Sequence, residues 1–303
     1  MTSDLHCGDC LDVLRSMPDA SVDMVLCSPP YESARTYGID FKLQGQDWVD
    51  WCVERFVECY RVCSGLTCWV VEGQTRKFRY SATPILLMAD LHRRGIKLRK
   101  PPAFHRVGIP GSGGPDWFRN DTEFCVCATH GKLPWSDNTA MGHPPKWAPG
   151  GAMSNRLSNG ARVNQWGAAG GPRGFGNRRS NGSIGKGKRP SHRLERGNEK
   201  GGCATIPVLA NPGNVIHCHV GGGVLGSPLA HENEAPYPAA LCEFFIRSCC
   251  PPGGTVLDPF CGSGTTGAVA LQTGRKFIGI DVRANQIELT KRRLAEIQPE
   301  LIA

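Results

Sequence analysis

The chain has 303 residues, of which 40% are hydrophobic and 20% charged, and it carries a formal net charge of +8. That length supports one large core or two smaller ones, and the hydrophobic share is ordinary for a globular fold in water. The opening residues lack a basic segment followed by a long apolar run, and no stretch approaches the roughly eighteen apolar residues of a membrane helix, so a soluble, cytoplasmic protein with no membrane partner is expected.

The run Val22 to Ser28 has strand character and stops at Pro29-Pro30, because proline cannot donate to a ladder. From about Asp47, the apolar residues Val49, Cys52, Val53, Phe56, Val57 and Tyr60 recur at steps of three and four. Asp50, Glu54, Arg55, Glu58 and Arg61 fill the other face, which is the pattern of an amphipathic helix, and Ser64-Gly65 is expected to close it. Leu66 to Val71 reads as a second buried strand, Ile85 to Leu91 as a helix and Thr122 to Thr129 as a third strand. Further on, Pro238 to Cys250 reads as a helix stopped by the turn Pro251 to Gly254, and Thr255 to Phe260 as a strand. A helix over Thr265 to Leu271, a strand over Lys276 to Val282 and an amphipathic helix over Arg283 to Ile297 complete the chain. Strand and helix alternate in residues 1–137 and again in 206–303. This predicts one doubly wound, Rossmann-like α/β sheet with helices on both faces, interrupted by an insertion over 138–205.

The insertion carries the charge. Residues 151–200 hold eleven of the 35 Lys and Arg residues but two of the 27 acidic ones, which leaves the remainder of the chain near neutrality. Rich in Gly, Asn, Ser and Arg and without apolar periodicity, the segment can hardly build a core. Either it is a solvated, partly disordered loop, or it is an arm that neutralises phosphates and orders on nucleic acid. In the second case Arg156, Arg162, Arg173, Arg178, Arg179, Lys186, Lys188, Arg189 and Arg193 are its DNA-binding residues, with Trp166 and Phe175 available to stack. The 15 cysteines do not suggest a disulfide framework, since their number is odd and no secretory signal is evident. Metal is not expected either. Cys7 and Cys10 form a lone pair, and Cys125/Cys127 and His217-Cys218-His219 alternate as strands do.

Gly262, Ser263 and Gly264 lie where a strand ends and a helix begins, so that glycine backbone and helix amides face the crevice at the strand's carboxyl end. The turn reads Asp-Pro-Phe-x-Gly-x-Gly, without the third glycine of a dinucleotide loop. Asp258 just before it would repel a pyrophosphate and attract a ligand bearing an ammonium group, such as S-adenosylmethionine. Asp281 ends the next strand about twenty residues on, where an acid binds both hydroxyls of an adenosine ribose. Two strand-end aspartates merely capping helices are the alternative. At another strand end, Ser28-Pro29-Pro30-Tyr31 fixes two acceptor carbonyls beside an aromatic ring, which suits a planar substrate bearing an amino group, such as a base flipped from a duplex.

On these residues the chain resembles the permuted (beta-class) amino DNA methyltransferases, of the S-P-P-Y type typical of cytosine-N4-specific enzymes. LHCGDCLDVL is similar to the family's opening, which implies that Asp9 meets the adenine amino group of the cofactor and that Cys10 flanks its ring. CSPPY matches the catalytic motif (Ser28, Pro29, Pro30, Tyr31), and DPFCGSGTT matches the cofactor loop (Asp258, Phe260, Gly262, Ser263, Gly264, Thr265). FIGID matches the ribose-binding strand. HENEAPYPAALCEFFI resembles the stretch that closes the methionine pocket, through His231 and Pro236. The resemblance implies methyl transfer from S-adenosylmethionine to cytosine N4 in double-stranded DNA, with adenine N6 as the alternative. It also implies target recognition by the insertion, and a cognate restriction endonuclease is a candidate partner. Direct transfer without a covalent base adduct is expected, with Cys27, just before the motif, pointing into the sheet. An RNA or protein amino methyltransferase and a catalytically inactive DNA-binding protein are the rivals.

Overall fold

The computed structural model describes residues 2–32, 40–108, 116–144, 209–220 and 237–297. The chain divides into two compact units, residues 1–141 with 211–303, and residues 142–210. In the second unit the described residues include His143 and Ala210, joined by an antiparallel bridge.

The described strands of the first unit are β1 (Ser3–Cys7), β2 (Val22–Cys27), β3 (Cys63–Val71), β4 (Thr75–Arg76), β5 (Arg79–Tyr80), β6 (Ala103–Val107), β7 (Thr122–Ala128), β8 (Val215–His219), β9 (Thr255–Asp258) and β10 (Lys276–Asp281). Its helices are α1 (Cys10–Ser16), α2 (Gly45–Val62), α3 (Thr83–Arg93), α4 (Ala239–Cys249), α5 (Thr265–Gln272) and α6 (Ala284–Ala295). Eight strands form one sheet in the order β1-β10-β9-β2-β3-β7-β6-β8, while β4 and β5 make a separate hairpin. Within the sheet, β7 runs antiparallel to both β3 and β6, and the other described pairings are parallel.

Alternation along the central strands produces two buried faces. Met24, Leu26, Cys68 and Val70 join the core under α4, α5 and α6, through Leu241, Phe245, Val269, Ile287 and Leu294. Val25, Cys27, Trp69 and Val71 join the core under α1, α2 and α3, through Leu14, Phe56, Leu87 and Leu91. A strand covered on both faces is apolar along most of its length, which is why Val22 to Cys27 and Leu66 to Val71 read as nearly continuous apolar runs, broken by Asp23 and Thr67. The doubly wound α/β sheet with helices on both faces is thus present. The Gly-rich insertion falls mainly on residues outside those described.

The structure departs from the sequence reading in several places. Ser64-Gly65 does not close α2 with a turn, because β3 begins at Cys63 directly after the helix. Gly65 serves the sheet instead: a Cβ there would lie 2.1 Å from the Asp23 carbonyl oxygen. β1, β6 and the β4–β5 hairpin carried too little apolar signal to be seen. β1 is a sheet-edge strand with a mostly exposed pattern. Cys125 and Cys127 lie on β7, and Cys218 lies between two histidines on β8, so the alternating spacing does mark strands. Among the described residues no helix is long and apolar enough to cross a membrane, and no group of three or more His, Cys, Asp or Glu could hold a metal ion.

Candidate active site

β9 and β2, more than two hundred residues apart in sequence, are hydrogen-bonded neighbours, with Met24 level with Val256 and Val25 with Leu257. From β9 the chain proceeds through α5 to β10 on one side, and from β2 through α2 to β3 on the other. The order therefore reverses between them, which is where an open α/β sheet leaves a crevice at its carboxyl edge. A cavity of about 700 Å³ occupies it. Its wall includes Asp9, Cys10, Ser28 to Tyr31, Phe260, Gly262, Ser263, Thr265 and Asp281.

At one end, Asp9 caps α1 by accepting from the Leu11 amide at 2.8 Å and also accepts from Arg55 Nη2 at 2.9 and 3.2 Å. The buried Arg55 guanidinium lies 4.1 Å from the Trp51 ring centroid. Trp51 in turn contacts Phe41 and Phe260, with ring centroids 5.1 and 5.7 Å away. Cys10 sits beside them, its thiol pushed up to about 12 mainly by burial, so it acts as an apolar surface. Asp281 accepts from the Gly262 amide at 3.0 Å, the Arg283 amide at 2.9 Å and Arg283 Nε at 3.3 Å. A carboxylate has about four acceptor positions, so one stays open. Aromatic walls next to a strand-end carboxylate fit the adenosine part of S-adenosylmethionine.

The glycine loop is braced from α6. Thr290 Oγ1 donates to the Gly262 carbonyl at 2.7 Å, and the buried Arg293 donates to the Ser263 carbonyl at 3.2 Å and to Thr265 Oγ1 at 2.8 Å. Gly262 is on the cavity wall, but Gly264 is not. Gly264 is glycine because φ is +76° and a Cβ would lie 2.8 Å from the Thr290 methyl carbon, so at this position close ligand approach is not the reason.

Asp258 also corrects an expectation. Its side chain is 1% exposed and stands behind the wall, not on it. Thr266 Oγ1 donates to it at 2.5 Å, Tyr237 OH at 3.4 Å and the Phe260 amide at 3.0 Å. Tyr237 is the residue that faces the cavity. Burial, partly offset by Thr266 and the Phe260 amide, raises the carboxyl from its ordinary 3.8 to about 7. Asp258 is therefore a partly protonated anchor for the loop and does not present a bare charge to a ligand ammonium.

A pH dependence follows. Between those two values the folded protein holds a proton that the unfolded chain has released, so stability falls as pH rises and levels off above 7. From roughly pH 5 to pH 8 this group removes about 2–3 kcal/mol. Asp258→Asn should flatten that part of a Tm–pH profile, whatever its own offset, and a variant with the parental slope would contradict the shift.

At the other end, the fully buried Trp48 donates Nε1–H to the Pro30 carbonyl at 2.8 Å, which pins the tetrapeptide to α2. Tyr31 OH donates to Glu123 on β7 at 2.7 Å and to the Val70 carbonyl at 3.3 Å, and Glu123 is paired with Arg106 on β6 at 3.1 Å. Ser28 Oγ lines the cavity with no hydrogen-bond partner among the described residues. Cys27 points away into the core between the sheet and α2, as expected, and burial pushes its thiol well up.

The structure brings together Asp9, Cys10, Ser28, Pro29, Pro30, Tyr31, Phe260, Gly262, Ser263, Thr265 and Asp281 on one wall, with Asp258 and Gly264 just behind it. His231, Pro236 and the nine basic arm residues from Arg156 to Arg193 lie outside the described residues. Sequence reasoning missed Phe41, Trp51, Arg55, Tyr237, Thr290 and Arg293. The α6 braces did leave a signal, since Gln286, Thr290 and Arg293 are polar residues at steps of four and three on the helix's buried face.

A family profile described as DNA methylase, for N6 and N4 enzymes, matches residues 22–292. The chain is 26% identical over 299 residues to the DNA adenine methyltransferase YhdJ of Escherichia coli (strain K12), covering 95% of this chain and 81% of that one. It is 44% identical over 70 residues to the type II methyltransferase M.HinfI of Haemophilus influenzae, 23% of this chain and 19% of that one. In structure it resembles the PvuII DNA methyltransferase (cytosine-N4-specific), with a TM-score of 0.63 at 18% identity over 100% of this chain and 89% of that one. It also resembles TTHA0409 from Thermus thermophilus, solved in complex with S-adenosyl-L-methionine, with a TM-score of 0.54 at 21% identity over 97% of this chain and 93% of that one. These structural likenesses bear on the fold, and the profile spans both the Ser28 and the Asp281 strands: the chain belongs to the N6/N4 DNA methylase family.

Proposed function

We propose that the protein transfers a methyl group from S-adenosylmethionine to the exocyclic amino group of a base in DNA. The observation that carries this reading is the pairing of β2 with β9, which puts the Ser28 tetrapeptide and the glycine loop on one cavity. Bound with its adenosine against Trp51, Phe260 and Asp281, S-adenosylmethionine supplies an electrophilic sulfonium methyl. The chain's own residues do the rest. Ser28 Oγ and the Pro29 carbonyl hold the hydrogens of the target amino group, Tyr31 offers its ring to the base, and Trp48 and Glu123 keep those groups still. Much of the rate then comes from orientation of two bound reactants. We assign residues 138–205 to target recognition, with Arg156, Arg162, Arg173, Arg178, Arg179, Lys186, Lys188, Arg189 and Arg193 binding phosphates. His231 and Pro236 are assigned to the methionine end of the cofactor site. Local similarity to a type II methyltransferase supports a cognate restriction endonuclease as a partner.

For the base, whole-length similarity to an adenine methyltransferase favours adenine N6. Cytosine N4 is the second reading, favoured by Ser28 in the position where N6 enzymes usually carry aspartate. Nucleoside mass spectrometry of unmethylated DNA incubated with protein and S-adenosylmethionine separates them. N6-methyladenine is expected, N4-methylcytosine would support the second reading, and DNA without new methyl groups would overturn both.

Direct transfer requires no cysteine nucleophile, and the buried Cys27 thiol is a poor one. Cys27→Ala should keep turnover within about threefold of the parent, because what it removes is packing and not a reacting group. Loss of transfer with DNA and cofactor binding intact would contradict an adduct-free reaction.

A further inference from the structure

We propose that the β4–β5 hairpin is a DNA wedge, whose tip residue Phe78 fills the gap left by the extruded target base while Lys77 and Arg79 hold the flanking phosphates. The inference rests on the DNA-methylating reading and adds a contact surface distinct from the basic arm.

The hairpin leaves the sheet at the active site. Glu72, Gly73 and Gln74 follow β3 and line the cavity, and Thr75 begins β4 directly after them. Three residues of strand and turn separate Gln74 from Phe78, which places the tip roughly 10 Å along the chain from the cavity wall. The base of the hairpin is firmly held. Tyr80 OH donates to the buried Glu72 at 2.7 Å, the Ser81 amide to the Gln74 carbonyl at 2.8 Å, and the Gln74 amide to Ser81 Oγ at 3.0 Å. Buried Glu32 accepts from Thr83 Oγ1 at 3.1 Å and from the Gln74 amide at 3.3 Å, which ties the hairpin to the segment after Tyr31.

On that rigid base the tip breaks two local rules at once. Lys77 and Phe78 both have left-handed φ, 49° and 63°, in a two-residue hairpin turn where Asn-Gly is the low-energy choice. Phe78 is 78% exposed. Both features cost stability in the free protein, and one ligand answers both. A phosphate backbone pairs with Lys77 and Arg79 on either side of the tip, and an aromatic ring held out beside it stacks between bases. A second protein copy would bring the same cations to the same place, so a polyanion is the better occupant. Local rules broken together beside a catalytic cavity are where function outweighs folding.

The test uses the full chain with two readouts, affinity for a fluorescein-labelled unmethylated plasmid fragment across a salt series and transfer of labelled methyl to the same DNA. Lys77→Ala with Arg79→Ala should weaken binding and reduce the slope of log K against log salt by about two, one for each cation. Phe78→Ala should leave that slope alone but lower methyl transfer about tenfold, and Phe78→Trp should restore it. Replacing Lys77-Phe78 by Asn-Gly should abolish most transfer while leaving Tm unchanged or higher, since the turn is then relaxed. An unchanged salt slope in the double variant, or Phe78→Ala turning over within about twofold of the parent, would overturn the wedge. A parent that transfers no methyl would strike the proposed function instead, and the salt slope would still report on the hairpin.

Discussion

Asp281→Ala is expected to weaken S-adenosylmethionine binding by about two to three orders of magnitude, which corresponds to roughly 3–4 kcal/mol. Two losses add. The open acceptor position on the carboxylate is the group available to a ribose hydroxyl, and a charge-assisted hydrogen bond in a site 8% exposed is worth about 1.5–3 kcal/mol. The same carboxylate orders the wall, because its oxygens hold the Gly262 and Arg283 amides. Without it both donors lose their partner and the glycine loop loosens where the ligand lies. The Arg283 Nε contact is, at 3.3 Å, the longest of the three. Titration calorimetry with cofactor alone, no DNA present, measures the effect. Binding within about threefold of the parent, in a variant that still unfolds cooperatively, would remove Asp281 from the ribose site. Because Thr290 and Arg293 still brace the loop from α6, the protein itself should survive the change.

Much of this arrangement was legible because it depends on short-range rules. A strand covered on both faces is mostly apolar, a strand-end acid after a glycine turn is visible as letters, and Pro29-Pro30 announces the end of β2. The alternation of strands and helices on both sides of the insertion pointed to one common sheet, and the structure adds that β2 and β9 are direct neighbours in it. What stayed hidden is set by contacts across the chain. Asp258 reads in sequence like a charge at the mouth of a crevice, but Tyr237 and Thr266, 21 and eight residues away from it, bury and bond it. Arg55 reads as one more cation on the wet face of a helix, yet it is buried beneath Asp9, a residue 46 positions earlier, and against Trp51. Glu123 sits on the antiparallel strand β7 and Arg106 on its neighbour β6, and neither has a local pattern that links it to Tyr31. The hairpin escaped notice for the opposite reason: Lys-Phe at a tight turn contradicts turn propensity, so no propensity rule could find it.

Ser28→Ala is expected to lower turnover by about 10- to 100-fold while leaving cofactor affinity within about twofold. Ser28 Oγ faces the cavity without a hydrogen-bond partner among the described residues, so its removal leaves no buried donor stranded and should not disturb the fold. What it removes is one of two acceptors for the hydrogens of the target amino group. That group's lone pair is delocalised into the ring of the base, and it must turn out of the ring plane before it can take a methyl group. An acceptor fixed off that plane favours the turned geometry more than the flat one, so its loss falls on kcat and not on ground-state binding. The backbone acceptor survives in the variant, because the Pro29–Pro30 segment is held through Trp48 and is untouched by a side-chain change. This is why the loss is put at a few kcal/mol at most and not at the full catalytic effect. Ser28→Asp, which restores a side-chain acceptor at the same place, should recover part of the lost turnover. An alanine variant that methylates DNA at the parental rate would shift the whole task of holding the amino group onto the backbone. An aspartate variant no better than alanine would show that the hydroxyl also acts as a donor, a role that a carboxylate cannot fill.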